Sequence, residues 1–147
     1  MVKKIVSGGQ MGADRGALEA ATELNIETGG WCPKGWKTEA GTDLSLKAFG
    51  LQETESPDYV VRTFRNVAES DGTVIFGNTR TGGSGLTIAL CERTDKPYLL
   101  NPEAGELREW IAENAITVLN VAGNRESRTP GIKEATRRYL LEELREP

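Results

Sequence analysis

The sequence predicts an α/β fold in which a mainly parallel sheet lies between two layers of helices. Short apolar segments alternate with amphipathic segments along all 147 residues, a pattern typical of repeated strand–helix–strand units. The predicted strands are continuous apolar runs, as expected of strands that are buried on both faces. No linker, repeat or low-complexity segment interrupts this alternation, so residues 1–147 are predicted to form a single domain.

The first half of the chain contains three predicted strands and two predicted helices. β-branched and apolar runs predict strands at Lys3–Ser7, Thr28–Cys32 and Leu51–Thr54. Apolar residues at helical spacing predict an amphipathic helix over 13–24. Ser56-Pro57 matches the N-cap and first position of a second helix, and the segment 33–46 is predicted to be an ordered loop.

The second half repeats the alternation three times. Strands are predicted at Thr73–Phe76, Pro97–Leu100 and Ile116–Val121, and helices over 81–93, near 103–114 and from Thr129-Pro130 to Leu144. Right-handed crossovers would place the loops that follow these strands along one edge of the sheet. Open α/β sheets bind their ligands at that edge.

The composition argues against several classes of function. A net charge of −4 gives no general attraction to nucleic acid or to an anionic membrane. The chain has no histidine, and Cys32 and Cys91 match no zinc spacing. The chain also lacks an apolar run long enough to span a bilayer and the apolar stretch of a signal peptide. We therefore expect a cytoplasmic protein without a nucleic-acid or membrane partner, and we assign neither a catalytic residue nor a metal ligand.

The first loop, residues 7–15, follows the first predicted strand and opens the first helix. Its three glycines allow a close backbone approach, and the N–H groups at a helix start favour an anion. Arg15 lies in the first helical turn, where a cation opposes the helix dipole, so we favour an anion contact over a surface pair with Asp14 or Glu19. The candidate ligand-binding residues of this loop are Gly8, Gly9, Gln10, Gly12, Asp14 and Arg15.

The second loop, residues 77–85, nearly matches a phosphate-binding P-loop. Gly83 stands where that motif has its lysine, which argues against hydrolysis of a nucleoside triphosphate. The glycines still provide backbone N–H groups for an anion, and a plain strand-to-helix turn is the alternative. The candidate residues of this loop are Arg80, Thr81, Gly82, Gly83, Ser84 and Gly85.

The third loop, residues 120–128, also lies between a predicted strand and a predicted helix. Its candidate ligand-binding residues are Gly123, Asn124, Arg125 and Ser127, and Arg128 supplies a further charge. Lys34 is added from a segment in which Trp31 and Trp36 either stack on a heterocycle or pack a loop onto the core. Arg62 and Arg65 lie on the polar side of their helix, where solvation is favoured slightly over a role in the site.

The segments Ser7–Arg15, Gly30–Gly35, Thr81–Gly85 and Asn120–Ser127 together resemble a known family. The chain is similar over nearly its whole length to the putative molybdenum carrier proteins, relatives of the molybdenum cofactor carriers. Their wider Rossmann-like superfamily includes the Lonely Guy phosphoribohydrolases and the DNA-processing protein A fold.

The resemblance implies a Rossmann-like three-layer sandwich and a homo-oligomer, either a dimer or a tetramer. It also implies binding of molybdenum cofactor, molybdate or tungstate, or a nucleotide-like ligand at Gly8–Arg15, Thr81–Gly85 and Gly123–Ser127. The phosphoribohydrolases carry two glutamates after their glycine motif, where this chain has Ile88 and Ala89. Since the acidic groups for sugar hydrolysis are missing there, no enzyme activity is carried over.

Two functions remain open at this point. The first is non-enzymatic binding and carriage of a small anionic ligand, with molybdenum cofactor or a molybdate-like oxyanion as the leading candidates. The second is a nucleotide-processing enzyme of the phosphoribohydrolase type, with Asp14, Asp71 or Glu126 as acid or base, or a nucleotide sensor.

Overall fold

Five parallel strands form the central sheet of the computed structural model, which describes residues 1–80 and 82–146. In spatial order these strands are β2 (Glu27–Gly29), β1 (Lys4–Val6), β9 (Val118–Gly123), β7 (Gly72–Phe76) and β8 (Tyr98–Leu100). The helices are α1 (Ala13–Glu23), α2 (Tyr59–Ala68), α3 (Gly82–Arg93), α4 (Glu106–Glu113) and α5 (Ile132–Leu144). The α/β fold predicted from the sequence is confirmed.

The helices cover both faces of the sheet. α1, α4 and α5 pack together on one face, and α2 packs against α3 on the other. The first helix has an alanine-rich buried side, so it lies close to the sheet and to α5. Gly16 lies directly against α5, because a Cβ added there would overlap the backbone carbonyl oxygen of Lys133.

The second predicted strand is wrong in one respect, because it divides at Gly30. Residues 27–29 join the central sheet as β2, whereas β3 (Trp31–Cys32) pairs with β6 (Gln52–Glu53) in a separate two-stranded sheet. Gly30 has a φ of 121°, a left-handed conformation that other residues rarely adopt. The chain therefore changes direction at this glycine and leaves the central sheet.

The predicted loop over 33–46 contains regular structure. β4 (Lys37–Thr38) and β5 (Gly41–Thr42) form an antiparallel hairpin, and a 3₁₀ helix covers Leu44–Phe49. The predicted helix start at Ser56 is also too early, because Asp58 is the N-cap of α2 and its side chain accepts a hydrogen bond from the N–H of Val60.

The sheet order brings the three glycine-containing loops together. β9 lies between β1 and β7, so the first, third and second loops follow three adjacent strands at one edge of the sheet. Neighbouring strands are about 4.8 Å apart, so the loops after β1 and β7 are separated by about 10 Å. The third loop bridges them and closes the group of loops.

Candidate functional site

A cavity of about 610 Å³ lies at this edge, between the three loops and the amino-terminal ends of α2 and α3. Nine of the residues predicted for the site line it: Gln10, Asp14, Gly82, Gly83, Ser84, Gly123, Asn124, Arg125 and Ser127. All three loops contribute to this lining. Whether these residues bind a ligand stays a prediction.

Other predicted residues do not line the cavity: Gly8, Gly9, Gly12, Arg15, Lys34, Arg80 and Gly85. Thr81 lies outside the described residues. The glycines of the first loop instead allow close packing, since a Cβ on Gly12 would overlap the backbone oxygen of Asn124. Similarly, a Cβ on Gly8 would overlap the guanidinium of Arg62.

Arg15 points away from the cavity. Its guanidinium lies 3.3 Å from a carboxylate oxygen of Glu19 and 3.2 Å from one of Asp43, and it stacks on Phe49. It also donates a hydrogen bond of 2.8 Å to the hydroxyl of Ser45. The positive charge of Arg15 is therefore compensated by Glu19 and Asp43. This agrees with the alternative in which Arg15 forms a surface ion pair and does not contact an anionic ligand.

The structure adds residues that the sequence did not assign to the site. Tyr59, Arg62 and Thr63 line the cavity from α2, together with Asp58, Val60, Leu86, Thr87, Ala122 and Arg128. The α2 residues were missed because the polar side of an amphipathic helix usually faces solvent. Arg65 does lie on such a surface, where it pairs with Glu55 and stacks on the Trp31 ring.

The first loop binds a carboxylate of the protein itself. Asp14 is only 3% exposed, accepts a hydrogen bond of 3.1 Å from the N–H of Gln10 and lies 3.7 Å from the guanidinium of Arg62. Burial raises the pKa of Asp14 above its usual value, while Arg62 and the N–H groups of Gln10 and Gly8 act in the opposite direction. Asp14, which the sequence assigns to the ligand site, is therefore itself hydrogen-bonded to the first loop.

The third loop is also held by a carboxylate. Glu39, at the tip of the β4–β5 hairpin, accepts hydrogen bonds from the backbone N–H and from the hydroxyl of Ser127. The N–H of Glu39 in turn donates to the side-chain oxygen of Gln10 at 2.7 Å. The hairpin therefore ties the first and third loops together on one side of the cavity.

The second loop differs from the other two. The first turn of α3 contains no acidic residue, and no oxygen of the described residues accepts the N–H groups of Gly82, Gly83 or Ser84. The guanidinium of Arg128 lies beside Gly82. Asn124 fixes the loop, since its side-chain oxygen accepts the N–H of Asn78 and its backbone N–H donates to Phe76 at 3.0 Å.

Carboxylates accept N–H groups at the amino-terminal ends of α2, α4 and α5, whereas α1 has no side-chain cap but carries an acid, Asp14, in its first turn. At α2, Asp58 accepts the N–H of Val60. At α4, Glu143 accepts the N–H groups of Gly105 and Arg108. At α5, Glu126 accepts the N–H groups of Gly131 and Lys133. These N–H groups hold the pKa of Glu126 below its usual value. The cavity is lined by Asp14 from the first turn of α1 and by the α2 cap Asp58, whereas no acid stands in the first turn of α3.

Three cations converge on one aromatic ring at the mouth of the cavity. The side-chain nitrogen of Lys37 lies 4.7 Å from the centroid of the Tyr59 ring, and the guanidinium carbons of Arg125 and Arg62 lie 5.0 and 5.4 Å from it. Such contacts stabilise a cation by about 0.5–2 kcal/mol each. Within residues 1–80 and 82–146, Asp14 is the acid that forms an ion pair with one of these three cations, and its partner is Arg62.

Other chemically interesting residues lie away from the cavity. Trp36 packs on the buried cluster that contains Cys32, and the Trp31 indole N–H donates to Glu69. Burial raises the pKa of the Cys32 thiol to about 11, and Glu53 acts in the same direction. Asp71 accepts N–H groups of Thr117 and Val118 at the opposite edge of the sheet. Neither the Trp31 nor the Trp36 indole lines the cavity.

The described part of the chain contains neither a metal-binding cluster nor a membrane-spanning helix. No group of three or more Cys, Asp or Glu side chains is arranged to hold a metal ion. No helix there is long and apolar enough to cross a membrane.

The parallel sheet, its two helical layers and the cavity at the carboxyl edge of the strands place the chain in the Rossmann-like α/β class. The chain belongs to the circularly permutated YpsA SLOG family, whose model matches residues 5–144.

A solved structure is also similar to this chain. It is the crystal structure of a protein from Syntrophus aciditrophicus SB named a putative molybdenum carrier protein, with 39% sequence identity and a TM-score of 0.90. The match covers 97% of this chain and 95% of that one. None of the curated proteins matches. The family resemblance inferred from the sequence motifs is confirmed.

Proposed function

We propose that this protein binds and carries a small molecule with a phosphate or related tetrahedral oxyanion, and that this group sits at the amino-terminal end of α3. The contrast among helix ends carries the proposal. Protein carboxylates accept the N–H groups of α2, α4 and α5, whereas α3 begins at a cavity with three glycine or serine N–H groups and no acid in its first turn.

The charges around the cavity support the same assignment. Arg128 lies beside Gly82, and Arg125 and Arg62 line other parts of the same cavity. Guanidinium groups bind phosphate and related anions through paired hydrogen bonds. The hydroxyl of Ser84 is a further donor for an anion at this helix end.

Molybdenum cofactor is the first candidate ligand, followed by free molybdate or tungstate. The name of the neighbour from Syntrophus aciditrophicus refers to molybdenum carriage. The metal would enter as part of an anion, since no cluster of ligating side chains is present among the described residues. A volume of about 610 Å³ is roughly twenty times that of a water molecule, which suits a cofactor better than a bare oxyanion.

Calorimetry with purified protein tests this proposal. Phosphate, molybdate, tungstate, sulfate and isolated molybdenum cofactor would each be titrated, and the melting temperature recorded with and without them. Arg128→Gln should weaken binding about 10-fold to 100-fold, the equivalent of one charge-assisted hydrogen bond. Arg138→Gln is the matched control, because Arg138 is an exposed arginine of α5 whose partner is Glu134.

Two results would refute the proposal. One is that none of these anions binds or raises the melting temperature, and the other is equal binding by the Arg128 and Arg138 variants. Nucleoside monophosphates added to the same panel, with an assay for released base, test the nucleotide-processing alternative. The homo-oligomeric state and the cytoplasmic location stay predictions.

A further inference from the structure

Gln10 has a donor that no described residue uses. Its side-chain oxygen accepts the N–H groups of Met11 at 3.1 Å and Glu39 at 2.7 Å, which fixes the orientation of the amide. Its Nε2 is buried without a hydrogen-bond acceptor among the described residues, and the residue is 5% exposed at the cavity wall. Buried donors are nearly always paired, so Nε2 indicates an acceptor that a ligand supplies.

Positive charge surrounds this donor. The Nε of Arg62 is buried and also unpartnered among the described residues, and Arg62 and Gln10 contact the same carboxylate oxygen of Asp14. Lys37 and Arg125 lie over the Tyr59 ring, as Arg62 does. Asp14 pairs with Arg62, and Asp58 and Glu39 accept the N–H groups of Val60 and Ser127, whereas neither Lys37 nor Arg125 forms an ion pair with a described residue.

Gln10 and the first turn of α3 lie beyond the ends of two different strands. Gln10 follows β1 and Gly82 follows β7, with β9 between the two strands. Two strand spacings amount to about 10 Å. Across about 10 Å, a single tetrahedral oxyanion is too small to contact both Gln10 and the first turn of α3.

We infer that the ligand carries two anionic groups about 10 Å apart. One sits at the first turn of α3 beside Arg128, and the other accepts hydrogen bonds from Gln10 and Arg62 at the Gln10 end of the cavity. The inference rests on the proposed function, because it describes the second end of the same ligand. Two phosphates, or a phosphate and a carboxylate, share the required chemistry.

A series of linear bisphosphates measures this distance. Alkanediol bisphosphates with two to six methylene groups would be titrated by calorimetry beside inorganic phosphate. Affinity should rise with chain length, reach its maximum at the compound that spans about 10 Å, and exceed that of phosphate at least tenfold. The same chains with one phosphate replaced by a carboxylate show which anion the Gln10 end prefers.

Gln10→Glu is the informative variant. It keeps the oxygen that accepts the Met11 and Glu39 N–H groups and replaces Nε2 by an oxygen that repels a second anion. The ratio of bisphosphate to phosphate affinity should fall at least tenfold. Gln52→Glu, with the same change of charge at an exposed position of β6, is the control.

Circular dichroism establishes whether the Gln10→Glu variant folds. If that variant does not fold, Arg125→Gln, a change at an exposed arginine, tests the Gln10 end of the cavity instead. Equal affinity for every chain length, with phosphate binding intact, would overturn the inference and leave the proposed function standing. An unchanged affinity ratio in the folded variant would do the same. Failure of phosphate and all bisphosphates to bind would remove both.

Discussion

Replacing Gly83 by aspartate should stabilise the protein and abolish ligand binding at the same time. A Cβ on Gly83 would meet no atom within 4 Å, so the new side chain fits without displacing its neighbours. Its carboxylate would supply α3 with the intramolecular anion that Asp58 and Glu126 supply to α2 and α5. The helix end would then be occupied in the absence of ligand.

The gain in stability has two parts. Removing a glycine from a helix contributes about 0.5–1 kcal/mol, because glycine loses the most conformational entropy on folding. A carboxylate in the first helical turn adds about 0.3–1 kcal/mol through the helix dipole. The sum, about 1–2 kcal/mol, corresponds to a rise of about 2–8 °C in the melting temperature of a domain of this size.

Urea unfolding and calorimetry with phosphate provide the two measurements. Gly83→Asn is the control, since it adds the same bulk without the charge, and the difference between the two variants reports the charge alone. Phosphate affinity should fall at least tenfold more in the aspartate variant. Undiminished phosphate binding by Gly83→Asp would show that the anion does not sit at α3, and a loss of stability would contradict the open space around Gly83.

Two further predictions concern the rest of the fold. Gly16→Ala should destabilise the protein by about 1–3 kcal/mol in urea unfolding, although alanine favours helices, because the added methyl group overlaps the Lys133 carbonyl between α1 and α5; equal or higher stability would contradict this packing. Cys32 should react with a thiol reagent at pH 8 only after denaturation, because its pKa of about 11 leaves little thiolate below that pH; rapid labelling of the native protein would contradict its burial.

The sequence predicts the sheet and the edge that carries the site because both depend on local patterns. Apolar runs and glycine-rich turns mark where strands end, and parallel connections bring those ends together. Two examples are the end of β7 just before Gly77 and the start of α3 at Gly82, which the glycines of the second loop indicate.

The carboxylates within the site depend on contacts between distant residues. Glu39 and Ser127 are 88 positions apart, and neither stands in a motif that indicates the other. The sequence predicts an anion contact for Arg15, yet the hairpin and 3₁₀ segment bring Asp43 and Ser45 to its guanidinium. Tyr59 and Arg62 were not assigned for the same reason, since only the packed fold turns their side of α2 toward the cavity.

The central position of β9 has a consequence for how the protein is made. This strand lies between β1 and β7, and it is synthesised after the other four strands of the central sheet. Until it emerges from the ribosome, β1 and β7 have no common partner, and the strand edges that would pair with β9 stay open to aggregation and to chaperones. Asn124, Arg125 and Arg128 emerge later still. If the proposed function is correct, the nascent chain therefore binds its ligand only after translation has passed the third loop.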